Sequence, residues 1–179
     1  MSERDFEHVG GDVVYDGRIV QVRADRFRYP DGEVVDREVI RHPGAVAILA
    51  VDDEHVHLVL QPREAVADPD VLEVPAGRLD KPGEPLQDCA ERELAEEIGK
   101  AADHWELIRS FYAAVGVLGE TVHLFFATGL RDVPFADSGE NERIELVHWP
   151  LDDLEGALAA TRDAKTIIAL QWLIDRRRR

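Results

Sequence analysis

Between Glu91 and Glu97 stand four carboxylates and one guanidinium: Glu91, Arg92, Glu93, Glu96 and Glu97. The same segment must also form a helix that packs. Pro85 suits a first helical turn, and Gly99 suits the position just past the last one. At ~100° per residue, Leu86, Cys89, Ala90, Leu94 and Ile98 make one apolar arc. Glu93 and Glu97 project into the middle of that arc, and Glu96 lies at its edge. Carboxylates four residues apart share one helix side and repel each other. Partly buried and unpaired, they would cost free energy or take up protons. A hard divalent cation such as Mg²⁺ removes the conflict, because it prefers carboxylate oxygens. The competing reading is a solvated acidic face, the usual fate of a charge run. The helical phase argues against it.

The wider segment, Gly77 to Lys100, resembles the Nudix box of the Nudix hydrolase family. That pattern runs Gly, five residues, Glu, seven residues, Arg-Glu, an aliphatic, any residue, Glu-Glu, any residue, Gly, and an aliphatic. Here Gly77 opens it, Glu84 is the next fixed acid, and Arg92-Glu93-Leu94-Ala95-Glu96-Glu97-Ile98-Gly99 matches throughout. Two positions depart. Six residues separate Gly77 from Glu84, and Lys100 replaces the final aliphatic. Asp80, Pro82 and Gly83 make a loop that can absorb one more residue without moving the helix. Lys at a helix C-terminus complements the dipole.

The chain has 179 residues, 45% of them hydrophobic and 32% charged, as expected of one soluble domain with a sizeable core. Its net charge of −16 argues against binding a nucleic-acid backbone, which needs clustered cations. Small anionic substrates remain compatible, since a bound metal reverses the local field. The N-terminus is polar, and no apolar run approaches the ~20 residues of a membrane span. With one cysteine, an intrachain disulfide is excluded and the cytoplasm is the expected compartment. Cys89, on the apolar arc, is read as buried and inert. His55 and His57 alternate on one strand face and are read as surface residues rather than ligands.

Short strands with turns fill the stretch up to residue 40, with Pro30-Asp31-Gly32 as a turn signal. The run Ala45 to Val51 suits a buried strand. Strands are also expected at His55 to Gln61, Val71 to Val74, Trp105 to Ala113, Thr121 to Thr128 and Ile144 to Trp149. Helices are expected at Leu151 to Ala160 and Ala164 to Ile174, with Arg176 to Arg179 as solvated charge at the end. Periodicity alone supports only an α/β or α+β class. The resemblance implies more: an α/β/α sandwich with a mixed sheet and a small N-terminal β-strand region. On this reading residues 1–40 serve dimerisation and substrate completion, and residues 41–179 form the Nudix hydrolase domain.

Other segments resemble the ADP-ribose pyrophosphatase branch of the family. These are Leu72-Glu73-Val74-Pro75-Ala76-Gly77, Arg41-His42-Pro43-Gly44-Ala45-Val46, Gln61-Pro62-Arg63 and Asp163-Ala164-Lys165-Thr166-Ile167-Ile168. One segment disagrees. Where the branch carries two prolines in a sequence like FYPSPG, this chain has Phe111-Tyr112-Ala113-Ala114-Val115-Gly116.

The resemblance implies Mg²⁺-dependent hydrolysis of a nucleoside diphosphate linked to another group, with Mn²⁺ as an alternative metal. ADP-ribose, giving AMP and ribose 5-phosphate, is the leading substrate. The alternatives are another nucleoside diphosphate sugar, such as GDP-mannose or ADP-glucose, and a non-catalytic nucleotide-binding module. Glu93, Glu96, Glu97 and the Ala76 carbonyl are the expected metal ligands, oriented by Arg92. Glu142 is the candidate general base, with Glu140 and Glu96 as alternatives. Arg41, Arg63 and Gly77 are the candidate substrate contacts. A homodimer is implied, with no nucleic-acid or membrane partner.

Overall fold

The computed structural model describes residues 5–135 and 143–179. It divides into two compact units: Met1–Gly44 with Tyr112–Thr121, and Ala45–Phe111 with Val122–Arg179.

In the first unit, β1 (Glu7–Asp16), β2 (Gln21–Arg28) and β3 (Val34–Arg41) form an antiparallel meander. The β2–β3 turn lies at the Pro-Asp-Gly signal, where Gly32 N–H donates to Tyr29 O at 2.9 Å and Asp31 Oδ1 accepts from Glu33 N–H. Residues 112–121 add to the edge of β3: Ile40 N–H donates to Val117 O, and Gly119 N–H to Ile40 O, each at 2.8 Å. Asp25 is fully buried between the strands and gathers His8, Arg23 and Arg41 around its carboxylate.

The second unit is built on β4 (Ala45–Val51), whose apolar run has no polar alternation because both faces are covered. Val46, Ile48 and Ala50 pack under α1 (Leu86–Ile98). Ala47, Leu49 and Val51 pack against α2 (Leu154–Ala160) and α3 (Ala164–Arg177). The remaining strands are β5 (His55–Arg63), β6 (Asp68–Glu73), β7 (Ala76–Arg78), β8 (Lys100–Tyr112), β9 (Thr121–Asp132) and β10 (Glu145–Pro150). Among the described residues the sheet has seven strands, ordered β10-β5-β4-β9-β8, with β6 on β5 and β7 on β4. The β4–β9 pair is parallel, and β4–β5, β5–β10, β5–β6 and β4–β7 are antiparallel. This is the α/β sandwich with a mixed sheet that the sequence implied. No helix among the described residues is long and apolar enough to cross a membrane.

Strands β4 and β5 pair directly only at Ala50–Val51 with Val56–His57. Beyond that point they diverge. β6 takes up the bonding edge of β5, and β7 takes up that of β4. The segment Leu72–Gly77 therefore crosses between them, and it is this crossing that meets the helix of the acidic motif.

Some elements differ from the sequence expectation. α2 starts at Leu154 rather than Leu151, because Pro150 is followed by a turn and Asp153 caps the helix, its carboxylate accepting from Gly156 N–H. β6 begins at Asp68, and the three-residue β7 and a 3₁₀ turn at Glu64–Val66 carry too few residues for any period to show. His57 is not a surface residue. It is 3% exposed, its Nε2 2.7 Å from Asp52 Oδ2 and its Nδ1 2.9 Å from His148 Nδ1. Arg176 is not simply solvated: its guanidinium lies over the rings of Trp172 and Phe126 and donates to Glu106.

Candidate active site

The site is organised by α1. Pro85 stands at its N-cap in extended conformation. Gly99 closes it at φ 62°, the left-handed geometry that favours glycine, and its N–H bonds back to Leu94 O. Cys89, Ala90, Leu94 and Ile98 are buried as the apolar arc requires, and Glu97 is buried among them at 6% exposure. Burial pushes the Cys89 thiol up to about 12, so it is no nucleophile at neutral pH.

Arg92 gathers the acids. Its Nε and Nη2 donate to the two carboxylate oxygens of Glu84, both at 3.1 Å. Its Nη1 donates to Glu93 Oε1 at 2.6 Å and to Glu96 Oε2 at 3.1 Å. The Glu84 pairing holds the guanidinium above its ordinary pKa, and Arg92 in turn holds the Glu84 carboxyl below the usual range. The extra residue in the box loop does not disturb this fork. A turn from Lys81 to Glu84 takes it up, with Glu84 N–H donating to Lys81 O.

The crossing segment lies against the same helix face. Ala76 N–H donates to Glu97 Oε2 at 3.0 Å. Gly77 faces the carboxylate of Glu93 so closely that no side chain fits between them. Two backbone units and two carboxylates are thus brought together where the crossing segment meets α1.

Glu84, Glu93, Glu96 and Glu97 concentrate hard oxygen donors on one helix, the donor type that Mg²⁺ and Mn²⁺ take. Among the described residues no three His, Cys, Asp or Glu side chains converge on one point as a ready-made cage. Arg92 draws Glu93 and Glu96 toward itself, while Glu97 turns to Ala76. The chemistry of the donor set fits a divalent cation held between α1 and the Ala76 main chain.

The other expected residues are placed less simply. Arg63 is held side-on by buried Glu73, Nε on Oε1 at 2.5 Å and Nη2 on Oε2 at 2.8 Å. Lys165 donates to the same carboxylate and to Asp163. Arg41, in the N-terminal unit, faces Asp25 at 3.6 Å. Glu140 and Glu142 lie outside the described residues. Sequence reasoning missed Glu73, Lys165 and Thr166 as a connected group. The signal was present, since Leu-Glu before the Pro-Ala-Gly and the Asp-Ala-Lys-Thr stretch both stood out without a role. The N-terminal unit also has a concavity of its own, lined by Phe6, Phe27 and Tyr29 with Arg37 beside residues 115–119.

Known proteins resemble this chain in sequence and in fold. Residues 41–173 match the NUDIX domain. The chain is 39% identical over 150 residues to an ADP-ribose pyrophosphatase of Mycobacterium tuberculosis, spanning 83% of this chain and 72% of that one. It is 31% identical over 176 residues to an ADP-ribose pyrophosphatase of Bacillus subtilis, spanning 97% and 95%. It is 34% identical over 163 residues to the methanol dehydrogenase activator of Bacillus methanolicus, spanning 89% and 88%. The crystal structure of an ADP compounds hydrolase superposes with a TM-score of 0.83 at 22% identity, covering 98% of this chain and 95% of that one, a likeness of fold.

Proposed function

The chain belongs to the Nudix hydrolase family, and from that premise we propose that it cleaves ADP-ribose to AMP and ribose 5-phosphate. The observation that carries this reading is the close approach of the Glu93 carboxylate to Gly77 beside the bond from Ala76 N–H to Glu97. Relatives named ADP-ribose pyrophosphatase support the choice of substrate.

In the reaction, water adds to one phosphorus, and the bond from that phosphorus to the bridging oxygen breaks. The oxygen leaves with the other phosphate. A divalent cation, Mg²⁺ or alternatively Mn²⁺, would neutralise the phosphate oxygens and lower the pKa of the water. Glu93, Glu96, Glu97 and the Ala76 carbonyl would hold it. Arg92 fixes the rotamers of Glu93 and Glu96 by charge-assisted hydrogen bonds. Glu73 occupies the Nε–Nη2 edge of Arg63, which leaves Nη1 as the edge for a phosphate oxygen. Arg41 is the second proposed phosphate contact. Glu142 is the proposed general base. The exposed apolar side chains of the N-terminal meander, among them Val13, Val14 and Tyr15, support residues 1–40 as a dimerisation surface. We assign the enzyme to the cytoplasm.

A wider specificity is favoured by one local feature. Ala113 N–H donates to Glu120 O at 3.3 Å, a bond that a proline at 113 could not make. Val115 is 80% exposed. This loop is closed by turn bonds rather than by two rigid rings, which suits GDP-mannose or ADP-glucose as further substrates.

The test is turnover of a panel of nucleoside diphosphate sugars with Mg²⁺ and with chelator, the products identified by chromatography. AMP and ribose 5-phosphate from ADP-ribose, abolished by chelator, is the expected result. Tight nucleotide binding without turnover of any compound would identify a non-catalytic module instead.

A further inference from the structure

The crossing from β6 to β7 breaks the sheet ladder at Val74-Pro75, and side chains from the helices take up several of the backbone groups around it. Pro75 has no N–H, and its carbonyl accepts from Ile48 N–H at 2.8 Å. Leu72 O accepts from Thr161 Oγ1 at 2.7 Å, and Val74 N–H donates to Thr166 Oγ1 at 2.8 Å. Both threonines are buried, Thr166 completely. They come from the α2–α3 corner, whereas Ala76 N–H is taken by Glu97 of α1. Alternate groups of one short segment are therefore gripped from opposite layers of the sandwich.

The orientation of Thr166 is determined by its own partners. Its hydroxyl donates to Asp163 Oδ2 at 2.6 Å, and the same oxygen caps α3 by accepting Thr166 N–H at 2.9 Å. With its proton committed to Asp163, the hydroxyl must present a lone pair to Val74 N–H. Asp163 also pairs with Lys165, which holds Glu73 one residue before Val74. The α2–α3 corner thus contacts three consecutive residues just ahead of Ala76: Leu72 through Thr161 at the end of α2, and Glu73 and Val74 through Lys165 and Thr166 in the first turn of α3.

We propose that the cap of α3, with Thr166 at its centre, is a positioning device for the metal site: it sets the height of the Ala76 carbonyl against Glu97. This rests on the reading that Ala76 and the α1 carboxylates hold the cation. Thr166 acts through Val74 and touches neither substrate nor metal. A purely structural threonine would lower stability and leave metal affinity alone in the folded protein.

The experiment is Mn²⁺ binding to the full chain, read by electron paramagnetic resonance without substrate, for wild type, Thr166→Val and Thr166→Ser. Partners behind metal ligands commonly contribute 10- to 100-fold in affinity, so Thr166→Val should weaken Mn²⁺ by at least ~10-fold, while Thr166→Ser stays within ~3-fold of wild type. Folded Thr166→Val with wild-type affinity overturns the proposal, as does Ser behaving like Val. Wild type that binds no Mn²⁺ removes the metal-site reading itself, a separate result. Should Thr166→Val not fold, amide exchange in the wild type decides. Saturating Mg²⁺ should slow exchange at both Val74 and Ala76 by at least ~5-fold. Slowing at Ala76 alone overturns the coupling.

Discussion

A methyl group on Gly77 would lie 1.8 Å from Cδ of Glu93 and 2.1 and 2.2 Å from its carboxylate oxygens. The carboxylate occupies the space that any other residue at 77 would fill. The glycine is required here by close approach rather than by an unusual backbone angle. Glu93 is the flexible partner, so in Gly77→Ala the side chain yields and the fold survives. The expected result is a kcat at least ~10²-fold lower, the scale of an ångström-sized displacement of a working group. The melting temperature should fall by no more than ~3 °C, about 1 kcal/mol for a chain of this size. Wild-type turnover in Gly77→Ala would show that the position of Glu93 does not matter.

Glu97→Gln tests the other half of the pairing. The amide can keep a carbonyl oxygen on Ala76 N–H, 3.0 Å from Oε2, while the charge is lost. Folding should therefore persist. We expect kcat to fall by at least ~10²-fold, or ~2.7 kcal/mol in the barrier, with the same result for Glu93→Gln. Steady-state kinetics across a Mg²⁺ titration is the measurement, and a loss that excess Mg²⁺ fully restores would assign these residues to affinity alone.

Glu73 is a stability prediction. Burial would raise its pKa, but Arg63 and Lys165 outweigh burial and hold it below the ordinary 4.5. A depressed carboxylate contributes stability above pH 4.5 that is lost as pH falls through its folded value. Glu73→Gln removes the charge shared by two cations. Hydrogen bonds to charged groups suggest a cost of ~2–3 kcal/mol at pH 7, read as a lower urea midpoint at unchanged slope. The difference from wild type should shrink toward pH 3. An equal difference at both pH values would mean that packing, not charge, is responsible.

The helix of the acidic motif was legible because its phase is local: Leu86, Cys89, Ala90, Leu94 and Ile98 state their own face. β4 was legible because seven apolar residues in a row can only be buried on both sides. The crossing segment was not legible. Val74 and Glu73 meet Thr166 and Lys165 across 92 residues of chain, and no periodicity links them. His57 misled for a related reason. Alternation placed it on the same strand face as His55 but could not reveal that β10 pairs beside β5 and sets His148 directly opposite His57. The position of Arg92 in the motif pointed to its carboxylates, but its side-on grip of Glu84 needed the loop geometry.

The His57 cluster is expected to make stability depend on pH below 6.5. Burial depresses its pKa below the ordinary 6.5, Asp52 opposes this, and His148 and Lys100 add to it. Asp52 stays ionised: burial opposes it, but the N–H groups of Glu54 and His55 and the His57 ring bring it down to about 2. With His57 Nε2–H on Asp52, its Nδ1 must accept from His148, so only one proton lies between the two Nδ1 atoms. A lowered histidine contributes stability above pH 6.5 that is lost as pH falls through the folded value. The melting temperature should fall between pH 6.5 and pH 5, and less so in His57→Leu. Parallel curves for the two proteins would place the acid sensitivity elsewhere.

The last prediction separates the base from the ligands. Glu96 shares the Arg92 Nη1 donor with Glu93, and its side chain is 12% exposed, a position suited to holding charge near the cation. Glu142 stands outside the motif, with Gly139 and Asn141 just before it in sequence. If Glu142 takes the proton from water, its work is done in the transition state. Glu142→Gln should then lower kcat by ~10²-fold or more with little change in Mn²⁺ affinity, and it should remove the acidic limb of the pH–rate profile. Glu96→Gln should instead weaken Mn²⁺ binding by ~10-fold or more and keep that limb at saturating metal. The measurements are kcat against pH for both variants and a separate metal titration. Should the two patterns be exchanged, Glu96 is the base and residue 142 belongs to a solvated acidic stretch. Should Glu142→Gln keep both wild-type kcat and the acidic limb, while Glu96→Gln only weakens metal, the base falls to Glu140.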